Sequence, residues 1–171
     1  MKNFIYSIMI LLFSVGVLFS QEELKLPPPI NNEFLNACEG IWKSEPYNFF
    51  GLQWTDEISL KWTLNGQYMI LNGQSKSETG FSFNSMTILF VDKDGNVKSW
   101  GFDDWGGDVA YFEGKIVGSV MTMEGGTKYI KGKYTLELNG NIMYQRGDFI
   151  FIDSETGKET KETLDLIYKK L

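Results

Sequence analysis

Histidine is absent from the 171 residues, and cysteine and arginine each occur once, as Cys38 and Arg146. Each scarcity removes a class of chemistry. Without imidazole there is no Ser-His-Asp or Cys-His couple, no histidine general base, and no imidazole ligand for zinc or haem. A single Cys38 makes neither an internal disulfide nor a thiolate cluster, and it reads as a small buried apolar residue. Positive charge is also short: 16 Lys+Arg stand against 22 Asp+Glu, and the sequence pI is about 4.7. That balance argues against a nucleic-acid footprint or a polybasic membrane patch, so no nucleic-acid partner is expected. What is abundant is aromatic: Phe, Trp and Tyr make up 15% of the chain.

The one long apolar run is at the start. Lys2 precedes the stretch Phe4 to Phe19, and Ser20 is followed by polar Gln21-Glu22-Glu23. This is the layout of a secretory signal peptide over residues 1–20. The run is shorter than the roughly 20 residues a spanning helix needs, so cleavage is expected rather than a lasting membrane anchor. The expected location is therefore secreted or periplasmic. Leu35-Asn36-Ala37-Cys38 imitates a lipoprotein box but lies beyond charged residues and the Pro27-Pro28-Pro29 rod, which argues against lipidation. Residues 21–33 read as a Pro-rich, mobile linker and helix start, and residues 34–171 as one domain with a real core.

Asn31 or Asn32 is placed to cap one short helix, with Ile30, Phe34 and Cys38 on a common face and Gly40 as its stop. Beyond it the chain alternates in strand-length runs. Ile58, Leu60, Trp62 and Leu64 alternate with polar residues before the Asn65-Gly66 turn into Tyr68–Leu71. Met86, Ile88 and Phe90 lead through Asp92-Lys93-Asp94-Gly95-Asn96, a hairpin turn rather than a calcium loop, into Val97–Asp103. Further glycine turns follow, and the last strand falls near Thr160–Lys169. About eight to ten antiparallel strands in sequence order most simply hide their edges by closing into a barrel. The expected fold is all-β, a single antiparallel barrel with one short N-terminal helix.

Gly40-Ile41-Trp42, opening the first strand after a short helix, resembles the Gly-x-Trp signature of the calycins, the lipocalin-like β-barrels. Leu64-Asn65-Gly66-Gln67-Tyr68-Met69, the tract Trp100 to Gly106, and Gly157-Lys158-Glu159-Thr160-Lys161 with Leu166-Ile167-Tyr168-Lys169 are similar to segments of an uncharacterised bacterial lipocalin-like family. The tract departs from that family by one extra residue between Trp100 and its aspartates. The resemblance spans most of residues 34–170 and implies a calycin-like barrel, with Gly40 and Trp42 as its structural signature. It implies no reaction. A neighbouring branch binds haem through a barrel histidine, which this chain lacks, so no cofactor is expected.

Three placements compete for Arg146, which shares a strand face with Ile142 and Tyr144: two roles inside the barrel, or the surface with a pairing elsewhere. A lumenal guanidinium would clamp a ligand carboxylate. The resemblance instead implies an arginine packed over Trp42 to plug the barrel base, although Arg146 precedes the final strand that usually supplies it. Asp103, Asp104 and Asp108 surround Trp105 and two glycines, a pattern that suits a turn better than a Ca²⁺ site or an acid/base pair, so no metal is expected. Phe49, Phe50 and Trp54 break clean alternation and suit a flap over the barrel mouth. The expected function is binding of a small apolar or aromatic ligand in the lumen, with Trp62, Tyr68, Phe90, Trp100, Tyr134 and Arg146 as candidate ligand-binding residues. A barrel enzyme of isomerase or lyase type, using Tyr, Arg and carboxylate groups, is a second expectation, and a filled-barrel interaction module a third.

Overall fold

A computed structural model describes residues 26–171. The expected signal peptide lies outside them. Residues 27–30 are not a free linker: Gln67 Nε2 donates to the Pro28 carbonyl (2.8 Å), and the Ile30 amide donates to the Gly66 carbonyl (2.9 Å). Helix α1 (Glu33–Cys38) follows, capped by Asn32, whose Oδ1 accepts from the Leu35 amide at 3.0 Å. This satisfies one of the donors every helix leaves free at its start. Phe34, Leu35 and Cys38 are its buried face.

Eleven strands lie among the described residues: β1 (Gly40–Ser44), β2 (Tyr47–Phe49), β3 (Leu52–Thr63), β4 (Tyr68–Ser77), β5 (Ser82–Val91), β6 (Asn96–Asp103), β7 (Ala110–Val117), β8 (Val120–Gly126), β9 (Ile130–Asn139), β10 (Ile142–Ile152) and β11 (Glu159–Lys170). From β3 to β11 each strand pairs antiparallel with the next, and β1 pairs with both β11 and β3. Trp42 stands opposite Lys170 on one side and Ile58 on the other, so the ladder returns on itself. The protein is thus a closed ten-stranded antiparallel barrel, which leaves no long unpaired edge.

Strand β2 continues β1 along the same edge of β3. Lys43 faces Glu57 while Tyr47 faces Trp54, so one extra residue is accommodated at Glu45-Pro46. A bulge is where a proline, which has no amide hydrogen to give, can sit in such a strand. The β2–β3 hairpin turns on Phe50 and Gly51, both with positive φ (49° and 74°), as the tight turn of type I′ demands.

The core fills the end of the barrel covered by α1. Trp42, Leu35, Met69, Met121, Met123, Met143, Val91, Val97 and Cys38 are all almost completely buried there. Four methionines suit this irregular space, because their unbranched side chains adapt to what the helix leaves. Trp42 Nε1 donates to the Cys38 carbonyl at 2.8 Å, fastening β1 to the helix.

Candidate functional site

Alternation sets which residues look inward. Burial marks even positions on β1, β3, β7, β9 and β11, and odd positions on β4, β5, β6, β8 and β10. The inward residues leave two chambers. The inner one, about 200 Å³, lies under α1 and is lined by Phe34, Leu35, Ile58, Leu60, Leu89 and Met143 among others. The outer one, about 530 Å³, runs to the far end of the barrel between Phe83, Phe112, Ile130 and the β6–β7 loop. Ser85, Thr87 and Tyr134 line both, forming a waist between them.

The far end carries an arc of aromatic rings. Trp105 meets Phe81 and Phe83 at 5.4 and 5.2 Å between centroids, and both reach Trp54 at about 6 Å. From Trp54 the contacts pass through Phe49 to Phe50 and Phe151, then through Phe149 to Tyr134 and Phe112. Most pairs are edge-to-face or tilted, the arrangement that ring quadrupoles favour. The expected flap of Phe49, Phe50 and Trp54 is the β2–β3 hairpin of this arc, held by Trp54 Nε1 donating to the Phe49 carbonyl at 3.1 Å. Phe50, Phe81 and Trp105 remain exposed at the rim.

Of the six expected ligand residues, two face the interior. Tyr134 is on the waist, and burial pushes its phenol up to about 12, with the Ser99 side chain acting in the opposite direction. Trp62 packs under α1, its Nε1 donating to Asn36 Oδ1 at 2.9 Å. The expectation of a lumenal place for Tyr68, Phe90, Trp100 and Arg146 does not hold. Met69, Leu89 and Ser99 take the inward positions of β4, β5 and β6, which turns their neighbours outward. Tyr68 then meets Phe90 (5.8 Å), and Trp100 meets Tyr111 (5.9 Å), on the outer surface. Arg146 is outward with Ile142 and Tyr144, and its Nε pairs with Asp165 across β10 and β11 at 3.1 Å.

The cation over Trp42 is Lys170, on the final strand. Its Nζ lies 5.2 Å from the ring and donates to the Ala37 carbonyl at 3.0 Å. Gly40 makes room for it: a Cβ there would come within 2.8 Å of Lys170 Cε, and the backbone has φ +133°. Gly40, Trp42 and Lys170 together shut the helix end of the barrel.

One carboxylate is buried in the wall. Asp56 accepts from Tyr47 Oη at 3.0 Å and from Tyr168 Oη at 2.9 Å, while its amide donates to Ser44 Oγ at 2.7 Å. Burial first, and the Asp56 charge second, push both phenols well above the usual tyrosine range. Such tyrosines are fixed hydrogen-bond donors rather than proton shuttles at neutral pH.

The acidic tract at the mouth is used for turns. Asp103 Oδ1 accepts from the Trp105 amide (3.0 Å), Asp104 Oδ2 accepts from Asn84 Nδ2 (2.7 Å), and Asp108 pairs with Lys128 (3.2 Å). The Asn84 bond holds Asp104 below the ordinary carboxylate range. Among the described residues no three Cys, Asp or Glu side chains gather as a metal site. Asp92 closes its hairpin by accepting from the Asp94 and Asn96 amides, each at 2.9 Å.

Phe83, Phe112, Ser85, Thr87 and Ser99 line the chambers without having stood out in the sequence. Their signal is present only as strand parity: Ser85, Thr87 and Leu89 alternate with Met86, Ile88 and Phe90, the face from which Phe90 is expected as a ligand residue. A scan of the chain against protein-family models gives no match, and a search of curated proteins finds no similar sequence.

Proposed function

We propose that the protein is an exported, calycin-like barrel that holds a small, largely apolar ligand in its lumen. The observation that carries this reading is the pair of chambers joined at a hydroxyl-bearing waist, shut at the helix end and open within an aromatic arc at the other. Desolvating aromatic and aliphatic surface supplies the affinity, and a few neutral polar groups supply orientation. Calycin-like kinship is supported by Gly40 and Trp42 opening β1 straight after a helix, with Lys170 of the last strand over the indole. Export is supported by the apolar run and polar restart of residues 1–23.

Native mass spectrometry of protein purified without denaturation, paired with organic extraction of the same sample, tests the ligand reading. A reproducible bound mass that extraction removes is the expected result. An apo mass, with no melting shift across fatty alcohols, sterols, tetrapyrroles and aromatic acids, would sink it. N-terminal sequencing of protein recovered from outside the cytoplasm tests export, with Gln21 expected as the first residue.

One observation favours the interaction module as a second reading. Ile70, Ile88, Trp100 and Tyr111 follow one another in register across the outer surface of β4–β7, beside Tyr68 and Phe90. That row has no lumenal use, and a contiguous outer apolar patch is a common mark of a partner surface.

A further inference from the structure

From the charges and hydrogen-bonding groups that face the interior, we infer that the lumen selects an uncharged ligand, an elongated apolar molecule bearing a hydroxyl or carbonyl, over a carboxylate of the same length. This rests on the lumenal-ligand reading and names its substrate class.

The first argument is the sign of the interior. Strand parity puts charged side chains on four inward positions among the described residues: Asp56, Asp103, Glu162 and Lys170. Three are acids. The one cation is committed at the shut end, bound to the Ala37 carbonyl and lying over Trp42. The inner chamber is lined by no charged residue at all. At the mouth, Lys128 is exposed and already paired with Asp108, while Asp103 stands nearby. A carboxylate entering here passes an acidic rim and then loses its water with no cation to meet it. Leaving an ion buried and unpaired costs far more than burying a neutral hydroxyl.

The second argument is what the waist offers. Ser85, Thr87 and Tyr134 present hydroxyls there, with Ser99 on the outer side and Gln145 on the inner. A hydroxyl both donates and accepts, so this set satisfies an alcohol or a carbonyl equally. In the inner chamber a cationic amphiphile fares no better than an anionic one, because no acid lines it and Asp103 reaches only the outer chamber. The buried carboxylate, Asp56, lines neither of them and is taken up by Tyr47 and Tyr168.

The test titrates the purified protein with 1-dodecanol, dodecanoate and dodecylammonium at neutral pH, below their self-association limits. Tryptophan fluorescence and melting temperature are read in parallel. Dodecanol is expected to bind at least about tenfold more tightly than either ion, since an unpaired buried ion costs more than the 1.4 kcal/mol that a tenfold change represents. Tyr134→Phe, which keeps the ring, is expected to shrink the alcohol's advantage severalfold with little change in melting. Dodecanoate binding as tightly as dodecanol overturns the inference but leaves the ligand-holding lumen standing. If none of the three binds and no mass copurifies, the lumenal reading fails, and this inference fails with it.

Discussion

Gly40, Trp42 and Lys170 show how three side chains close one end of a barrel. The indole is completely buried, its N–H is satisfied by the helix, and its face receives an ammonium whose alkyl stem slides past a residue with no Cβ. Substituting Gly40→Ala places a methyl against that stem and forces a left-handed φ on an L side chain. A loss of about 1–3 kcal/mol is expected, read as a lowered denaturation midpoint. Lys170→Met keeps the stem and removes the charge, so its loss should be smaller, about 0.5–2 kcal/mol from the cation–π contact and the Ala37 hydrogen bond. If Lys170→Met cost more than Gly40→Ala, the stem's passage over Gly40 would not be what constrains this end of the barrel. Beside this group, burial pushes the Cys38 thiol up to about 12, against a smaller opposing pull from Lys170. The thiolate is the reactive form. At mildly alkaline pH, alkylation of the native protein should be on the order of a thousandfold slower than of the denatured chain. Mass spectrometry after timed iodoacetamide treatment measures it, and labelling at the denatured rate would mean that α1 opens freely.

Element by element, strands β9 and β10 illustrate why a barrel of aromatics needs glycine. Gly132 stands opposite Phe149, and Gly147 opposite Tyr134, all on the inward face. The Phe149 ring lies over Gly132 where a Cβ would otherwise be, and a Cβ on Gly147 would fall 2.5 Å from Tyr134 Cβ. The two rings then stack at 6.3 Å and bring the arc to the waist. Gly132→Ala is therefore expected to push Phe149 off its seat. The expected signature is destabilisation of about 1–3 kcal/mol together with weaker ligand binding, because overpacking here deforms the chamber wall rather than a distant turn. Unchanged binding in a destabilised variant would disconnect the arc from the site. These pairs also mark what a sequence can and cannot show. The helix, an asparagine cap at 31 or 32, the glycine turns and the antiparallel succession of strands were all legible, because they depend on neighbours in the chain. Facing was not. On β5 both Thr87–Leu89–Val91 and Ile88–Phe90 make credible apolar faces, and one step of register exchanges them. Arg146 shows the same limit: its face-mates Ile142 and Tyr144 were identified correctly, but it takes the burial of Met143 and the pairing with Asp165 to place that face outside. Lys170 was missed because its partner Ala37 lies more than a hundred residues away in the chain, and Asp56 because Tyr168, one of the two phenols that bury it, does too.

At the scale of the whole molecule, the barrel wall is tied together by phenols that must stay protonated. Tyr168 reaches from β11 and Tyr47 from β2 to the same Asp56 on β3, across the seam where the first and last strands meet. Tyr134 stands at the waist. All three have folded-state ionisation pushed above the ordinary value of 10.0, Tyr134 to about 12 and Tyr47 and Tyr168 also well up, through burial and, for Tyr47 and Tyr168, the Asp56 charge. The sign follows from linkage. A phenol whose folded pKa is raised contributes stability that is fully present below pH 10, where the unfolded chain is still protonated. Above pH 10 the unfolded state loses protons that the native state keeps, so stability falls steadily as pH rises toward 12. Denaturation midpoints should accordingly be flat from pH 7 to 9 and drop above pH 10. The phenolate absorbance of these three tyrosines should appear only with unfolding. Tyr168→Phe separates the tie from general alkaline damage. It leaves Asp56 one donor short, so stability at neutral pH should fall by about 1–3 kcal/mol while the slope above pH 10 becomes shallower. A variant as stable as the parent at neutral pH, with the same alkaline slope, would mean that the seam is held by its strand ladder alone and that Asp56 is not what joins β11 to β3.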